Sequence, residues 1–170
     1  GVEPLIYTAD LANQAEAKAC FQKLKDTMPA LKGIVHAAGV LSDGLISQQS
    51  PETIATVFAP KVSASWYLHQ MSQNEELDFF IAYSSMSALL GMPGQANYAA
   101  ANAFLDALMH LRRQQGLPAL SINWGPWAEH GLAHKAQPNS GRTFIEAYGF
   151  HWLTARDGFA FLDQLLSDQA

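Results

Sequence analysis

Between Ile81 and Leu108 the sequence runs IAYSSMSALLGMPGQANYAAANAFLDAL. An apolar run ends in Ser84 and Ser85; thirteen residues after Ser85 comes Tyr98, and one helical turn beyond it Asn102. A hydroxyl, a phenol and an amide held close together can hydrogen-bond an oxygen that gains charge and hand it a proton. A free phenol, with a pKa near ~10, is a sluggish acid at neutral pH, so it needs a cation beside it. Each residue also has an ordinary reading. A serine at a strand end caps backbone groups, and a tyrosine at a core edge buries its ring and keeps its hydroxyl wet. The alanines between, Ala99, Ala100, Ala101 and Ala103, let their helix pack closely.

Positioning these groups is the task of alternating strands and helices. Residues 4–10, PLIYTAD, read as a strand, and Asn13 to Met28 as a helix that Pro29 stops. Residues 31–39, LKGIVHAAG, make a second buried run. Ser50, Pro51 and Glu52 then supply a cap, a proline at the first helical position and an acid for the positive helix end. That helix extends to about Gln70, with a kink or restart at Pro60. Residues 76–85 form a strand apolar enough to be covered on both faces, and Gln95 to Gln115 a helix closed by Arg112, Arg113, Gly116 and Pro118. Residues 119–125 are the fourth strand, followed by a long loop rich in Gly, Pro and His that reads as functional. Two short helices, Arg142 to Tyr148 and Ala155 to Leu166, finish the chain.

Short buried strands separated by helices predict an α/β doubly wound parallel sheet, in one domain over residues 1–170. Ligands of such sheets bind beyond the carboxyl ends of the strands. Asp10, His36 to Gly39, Ser84, Ser85 and Gly125 to Trp127 all fall there.

Composition removes several functions. With 49 % hydrophobic and 15 % charged residues among 170, the chain can bury a core, and its net charge of −5 offers no footprint for nucleic acid. No apolar run is long enough for a membrane span, and the first residues do not resemble a signal peptide, so a cytoplasmic protein is expected. The single cysteine, Cys20, cannot form an internal disulfide. His130 and His134, four apart, lack a third ligand, and no metal is expected.

HAAGV at 36–40, the Ser85–Tyr98 spacing, Tyr98-x-x-x-Asn102 and NWGPW at 123–127 together resemble the ketoreductase domains of modular polyketide synthases and animal-type fatty acid synthases. These are a branch of the short-chain dehydrogenase/reductase superfamily, with a Rossmann-like fold. Most members of the superfamily carry a lysine one turn after the tyrosine, where this chain has Asn102. Synthase ketoreductases take the lysine from the preceding helix, and Lys61 in FAPKVSASWYLH stands at that place.

The resemblance implies a role for each matching residue. Ser85 would hydrogen-bond the substrate carbonyl, Tyr98 would protonate it, Lys61 would hold the cofactor ribose and lower the phenol's pKa, and Asn102 would keep a water relay in place. Asp10 and Leu11 in TADL would lie beside the adenine of NADPH, Ala37, Ala38 and Gly39 would form the small-residue turn under it, and Pro126 would meet the nicotinamide end. A tight turn would explain Gly39 equally well, and Trp127 has an ordinary packing reading. Leu41-Ser42-Asp43 is close to the Leu-Asp-Asp of the B stereochemical class, and Leu90 stands eight residues before the tyrosine, where the other class has tryptophan. Asp43, Leu90 and Pro93 are therefore the expected stereocontrol residues and a 3R-hydroxyl the expected product; an acidic loop residue such as Asp43 can equally be plain solvated surface.

A dinucleotide fold also needs a glycine-rich turn against the pyrophosphate, and no G-x-G-x-x-G occurs in this sequence. Family order puts that turn and the 2′-phosphate contacts before Gly1 and the last strand after Ala170. The expectation is an internal piece of a ketoreductase domain, inactive alone and partnered by the upstream half, neighbouring synthase domains and an acyl carrier protein. The function implied is NADPH-dependent reduction of a carrier-tethered β-ketoacyl thioester in polyketide or fatty acid biosynthesis. The alternatives are a ketoreductase-like module that reduces nothing, and an independent reductase of small carbonyls, which would normally keep the lysine at the place of Asn102.

Overall fold

Three short strands, β1 (Gly33–His36), β2 (Phe79–Ser85) and β3 (Leu120–Trp124), form one sheet in the order β1-β2-β3. β1 and β2 run parallel, with Gly33 opposite Phe79 and His36 opposite Ala82. These observations come from a computed structural model, which describes residues 3–129, 131, 132, 147 and 149–167. The chain divides into two compact units, Gly1–Asn123 and Trp124–Ala170.

In the first unit β2 is the central strand, and Phe80, Ile81, Ala82 and Ser84 are all buried, as befits a strand covered on both faces. Gly33 is needed at the start of β1, because a Cβ there would sit 2.2 Å from the Phe79 ring. Residues 4–10, expected as a strand, join no ladder among the described residues, and Leu5 and Ile6 are exposed. An extended run becomes a strand only when a neighbour shares its hydrogen bonds, and periodicity does not report the neighbour.

The helices follow their caps. α1 (Gln14–Thr27) starts at Asn13, whose Oδ1 accepts from the amides of Ala15 at 3.0 Å and Glu16 at 3.3 Å. α2 (Pro51–Phe58) starts at Ser50, which exchanges hydrogen bonds with Thr53: the Thr53 amide donates to Ser50 Oγ, and the Ser50 amide to Thr53 Oγ1. Pro60 has no N–H for the next helical bond, and the chain passes through a π-helical turn over Ala59–Ser63 before continuing as α3 (Ala64–Ser72). Ser65 Oγ donates to the carbonyl of Lys61 inside that turn.

After β2 a single turn, α4 (Ser87–Leu90), leads to α5 (Ala96–Gln114). α5 has two working stripes. Leu105, Leu108 and Met109 join Ile34, Leu77, Phe80, Ala82 and Ala119 in the core, each large apolar side chain contributing about 1.5–3 kcal/mol. Tyr98, Asn102 and Asp106, spaced by four, form the other.

In the second unit, Trp127 bridges to Leu153, and α6 (Ala155–Ser167) follows Thr154, whose Oγ1 accepts from the Asp157 amide at 3.2 Å. Trp127 packs 5.0 Å from Trp124 and 6.1 Å from Phe159 between ring centroids, over Gly158, where a Cβ would lie 2.4 Å from the indole. The helix expected over Arg142 to Tyr148 lies outside the described residues except for Ala147, and so do His130 and His134. Among the described residues no helix is long and apolar enough to cross a membrane, and no cluster of side chains could hold a metal.

Candidate active site

Lys61 sits in the π-helical turn and is buried, 3 % exposed. Its Nζ donates to the carbonyl of Tyr83 at 3.0 Å and stands 5.4 Å from the centroid of the Tyr98 ring. Burial pulls the Lys61 ammonium down to about 8, against the charge of Asp106, which favours the cation. His36, buried at the end of β1, is driven down to about 4, first by burial and then by the Lys61 charge. It is a neutral imidazole at pH 7, with no hydrogen-bond partner for Nε2 among the described residues.

Ser85 ends β2, and its Oγ accepts from both the amide of Ser87 at 3.2 Å and Ser87 Oγ at 3.0 Å. Two donors into one hydroxyl oxygen leave its own proton free to point elsewhere. Burial raises the Tyr98 phenol above its ordinary value; the side chains of Asn102 and Ser85 pull it back, and the Asp43 charge adds to the rise. Asn102 is fully buried, donates Nδ2 to the Tyr98 carbonyl at 2.8 Å, and has no partner for Oδ1 among the described residues. The structure thus brings Lys61, Ser85, Tyr98 and Asn102 together.

Beside them, the loop carrying Asp43 is tied to the start of α5. Gln95 Nε2 donates to Asp43 Oδ2 at 3.0 Å, Asn97 Nδ2 to the Ser42 carbonyl at 2.8 Å, and the Gly44 amide to the Gly94 carbonyl at 2.8 Å. Leu90 and Pro93, expected with Asp43 in stereocontrol, are both exposed, Leu90 at the end of α4 and Pro93 between α4 and α5. Ala37 and Ala38 are exposed just past β1, with Gly39 half-buried after them. Asp10 Oδ1 accepts from the Ala12 amide at 2.9 Å, with half-buried Leu11 between them. Pro126 belongs to the second unit, where its carbonyl accepts from the Leu153 amide at 2.8 Å.

Residues 1–129 match the KR domain family. The chain belongs to that family: it is a ketoreductase domain sequence. It is 40 % identical over 158 residues to the spectinabilin polyketide synthase system protein NorB of Streptomyces orinoci, covering 93 % of this chain and 7 % of that protein. It is 43 % identical over 137 residues to the polyketide synthase GfsB of Streptomyces halstedii, covering 81 % of this chain and 2 % of the relative. Among solved structures, an N-terminal ketoreductase from the macrolactin assembly line is 34 % identical with a TM-score of 0.83, covering 98 % of this chain and 32 % of that one. An A-type ketoreductase from a modular polyketide synthase is 32 % identical with a TM-score of 0.87, covering 96 % and 34 %. The chain therefore spans under a tenth of these curated relatives and about a third of the solved ketoreductases. The fold is the Rossmann-like one of the short-chain dehydrogenase/reductase superfamily, and polyketide synthase ketoreductases are oxidoreductases.

Ketoreductases bind a nicotinamide cofactor, and the groups here fit one. The Lys61 ammonium has three N–H donors and spends one on Tyr83, so it can also bind ribose hydroxyls. The small exposed side chains after β1 permit close approach of a ligand to backbone.

Two participants escaped the sequence reading. Ser87 was discernible in the S-x-S spacing at the strand end, and Asp106 in its four-residue step from Asn102. His36 was among the residues expected at the strand ends; what the sequence did not carry is the influence of the Lys61 charge on it.

Proposed function

We propose that this ketoreductase reduces the β-carbonyl of an acyl chain held as a thioester on an acyl carrier protein, with NADPH, in the cytoplasm. The observation that carries the reading is the half-buried Tyr98, with the Lys61 ammonium 5.4 Å from its ring centroid and the side chains of Asn102 and Ser85 drawing the phenol's pKa down against burial. A bound nicotinamide supplies the hydride to the β-carbon. Ser85, its oxygen already occupied by Ser87, donates its proton as a hydrogen bond to the carbonyl oxygen. Tyr98 gives its proton to that oxygen as the charge develops, leaving a phenolate that the Lys61 cation stabilises electrostatically. Asn102, its Nδ2 committed to the helix, presents Oδ1 as an acceptor for a water that returns the proton.

The upstream half of the domain supplies the phosphate contacts of NADPH, and neighbouring synthase domains deliver the carrier protein. The Asp43 loop supports B-type stereochemistry, giving the 3R-hydroxyl in an unsubstituted chain. The test is NADPH oxidation by the full-length protein with a β-ketoacyl thioester, beside Tyr98→Phe. Turnover that falls about 10²–10⁴-fold in the variant is expected for loss of a general acid. A folded, NADPH-binding protein that stays silent with several acyl thioesters would make it a non-reducing module of its synthase.

A further inference from the structure

Two of the four groups above, Ser85 and Asn102, are tied together by a polar chain. Asp106 lies one turn after Asn102 and two after Tyr98 on α5. Its Oδ1 accepts from Ser121 Oγ at 2.5 Å and its Oδ2 from Asn123 Nδ2 at 2.9 Å, both partners on β3. The same Asn123 amide donates to the carbonyl of Ser85 and to Ser84 Oγ, each at 3.2 Å, and Ser84 Oγ donates to the carbonyl of Asn102 at 3.2 Å. One carboxylate thus anchors the backbone of two site residues from different elements. Ser84 and Asn102 are buried, where an unmade hydrogen bond costs about 1–3 kcal/mol, so the chain has little freedom to slip.

We propose that Asp106 is a positioning residue of this reductase, fixing the strand end that bears Ser85 through Asn123. The inference rests on the reductase reading above.

Three variants of the full-length protein test the anchor. Asn123→Ala breaks the bridge to Ser85, and Asp106→Leu removes the carboxylate that holds Asn123. Asp106→Asn keeps a side chain able to hydrogen-bond Asn123 and Ser121. Turnover and KM are read by NADPH oxidation, and folding by thermal melting.

In Asn123→Ala and Asp106→Leu kcat falls tenfold or more while KM for NADPH changes less than threefold, and Asp106→Asn keeps at least threefold more turnover than Asp106→Leu. Unchanged kcat in folded Asn123→Ala overturns the proposal, as does an Asp106→Asn no better than Asp106→Leu. If the unaltered protein binds NADPH but reduces nothing, the reductase reading fails and with it the positioning role.

Discussion

Asn102 donates its amide to the carbonyl of Tyr98 at 2.8 Å, one turn back on the same helix, and so leaves only its oxygen facing the buried site. A buried acceptor without a partner costs about 1–3 kcal/mol. Replacing Asn102 by Leu is therefore expected to leave thermal stability unchanged or higher while lowering kcat at least about tenfold. Melting curves and turnover of the same preparation check both halves.

Lys61 makes a similar trade. Its folded-state value of about 8 lies below the ordinary 10.5, so the folded protein holds the cation at a cost at neutral pH. That cost fades as pH rises from about 8 towards 10.5, where the unfolded chain binds more protons than the folded one. Lys61→Met is expected to raise stability at pH 7 by about 1–2 kcal/mol, discounted for the lost bond to Tyr83, and to abolish reduction. Denaturant unfolding at pH 7 and pH 10 measures the gain, which should shrink at the higher pH.

His36 works in the acid range. Its folded value of about 4 lies below the ordinary 6.5, so between these values the unfolded state takes up a proton that the folded state refuses. Stability is full above about pH 6.5 and falls by about 3 kcal/mol on acidification towards pH 4. In Lys61→Met the imidazole should titrate at higher pH, since one of its two depressing influences is gone. Proton NMR of the imidazole resolves the change.

The Asp43 loop is held by side chains rather than by secondary structure. Gln95→Leu removes the 3.0 Å bond to Asp43, and Asp43→Ala removes the acid itself. Both variants are expected to lower the share of 3R product, by chiral chromatography of the released hydroxyacid, with KM for NADPH within a few-fold of the starting protein. An unchanged product ratio in both would remove Asp43 from stereocontrol.

The features legible in the sequence were those whose cause is local. Asn13 and Ser50 cap their helices with atoms two or three residues away, and Pro60 interrupts a helix by lacking one hydrogen. Tyr98 and Asn102 share a stripe because of helical pitch alone. What escaped depends on chain segments far apart in sequence. Asp106 looks like an ordinary surface acid of a helix until Asn123 and Ser121 arrive beside it from β3. The run at 4–10 has the composition of a strand, and pairing is a property of two segments.

The π-helical turn at Ala59–Ser63 gives the lysine a kind of dependence that the other three groups do not have. An ordinary helix advances about 100° per residue, and a turn holding one extra residue rotates everything after it by about that angle relative to what precedes. The direction of the Lys61 side chain is thus written in the number of residues since Ser50. Exchanging the side chains of Ala59, Val62 or Ser63 should be tolerated far better than deleting one residue, which would swing the ammonium away from Tyr98 while leaving the helix intact.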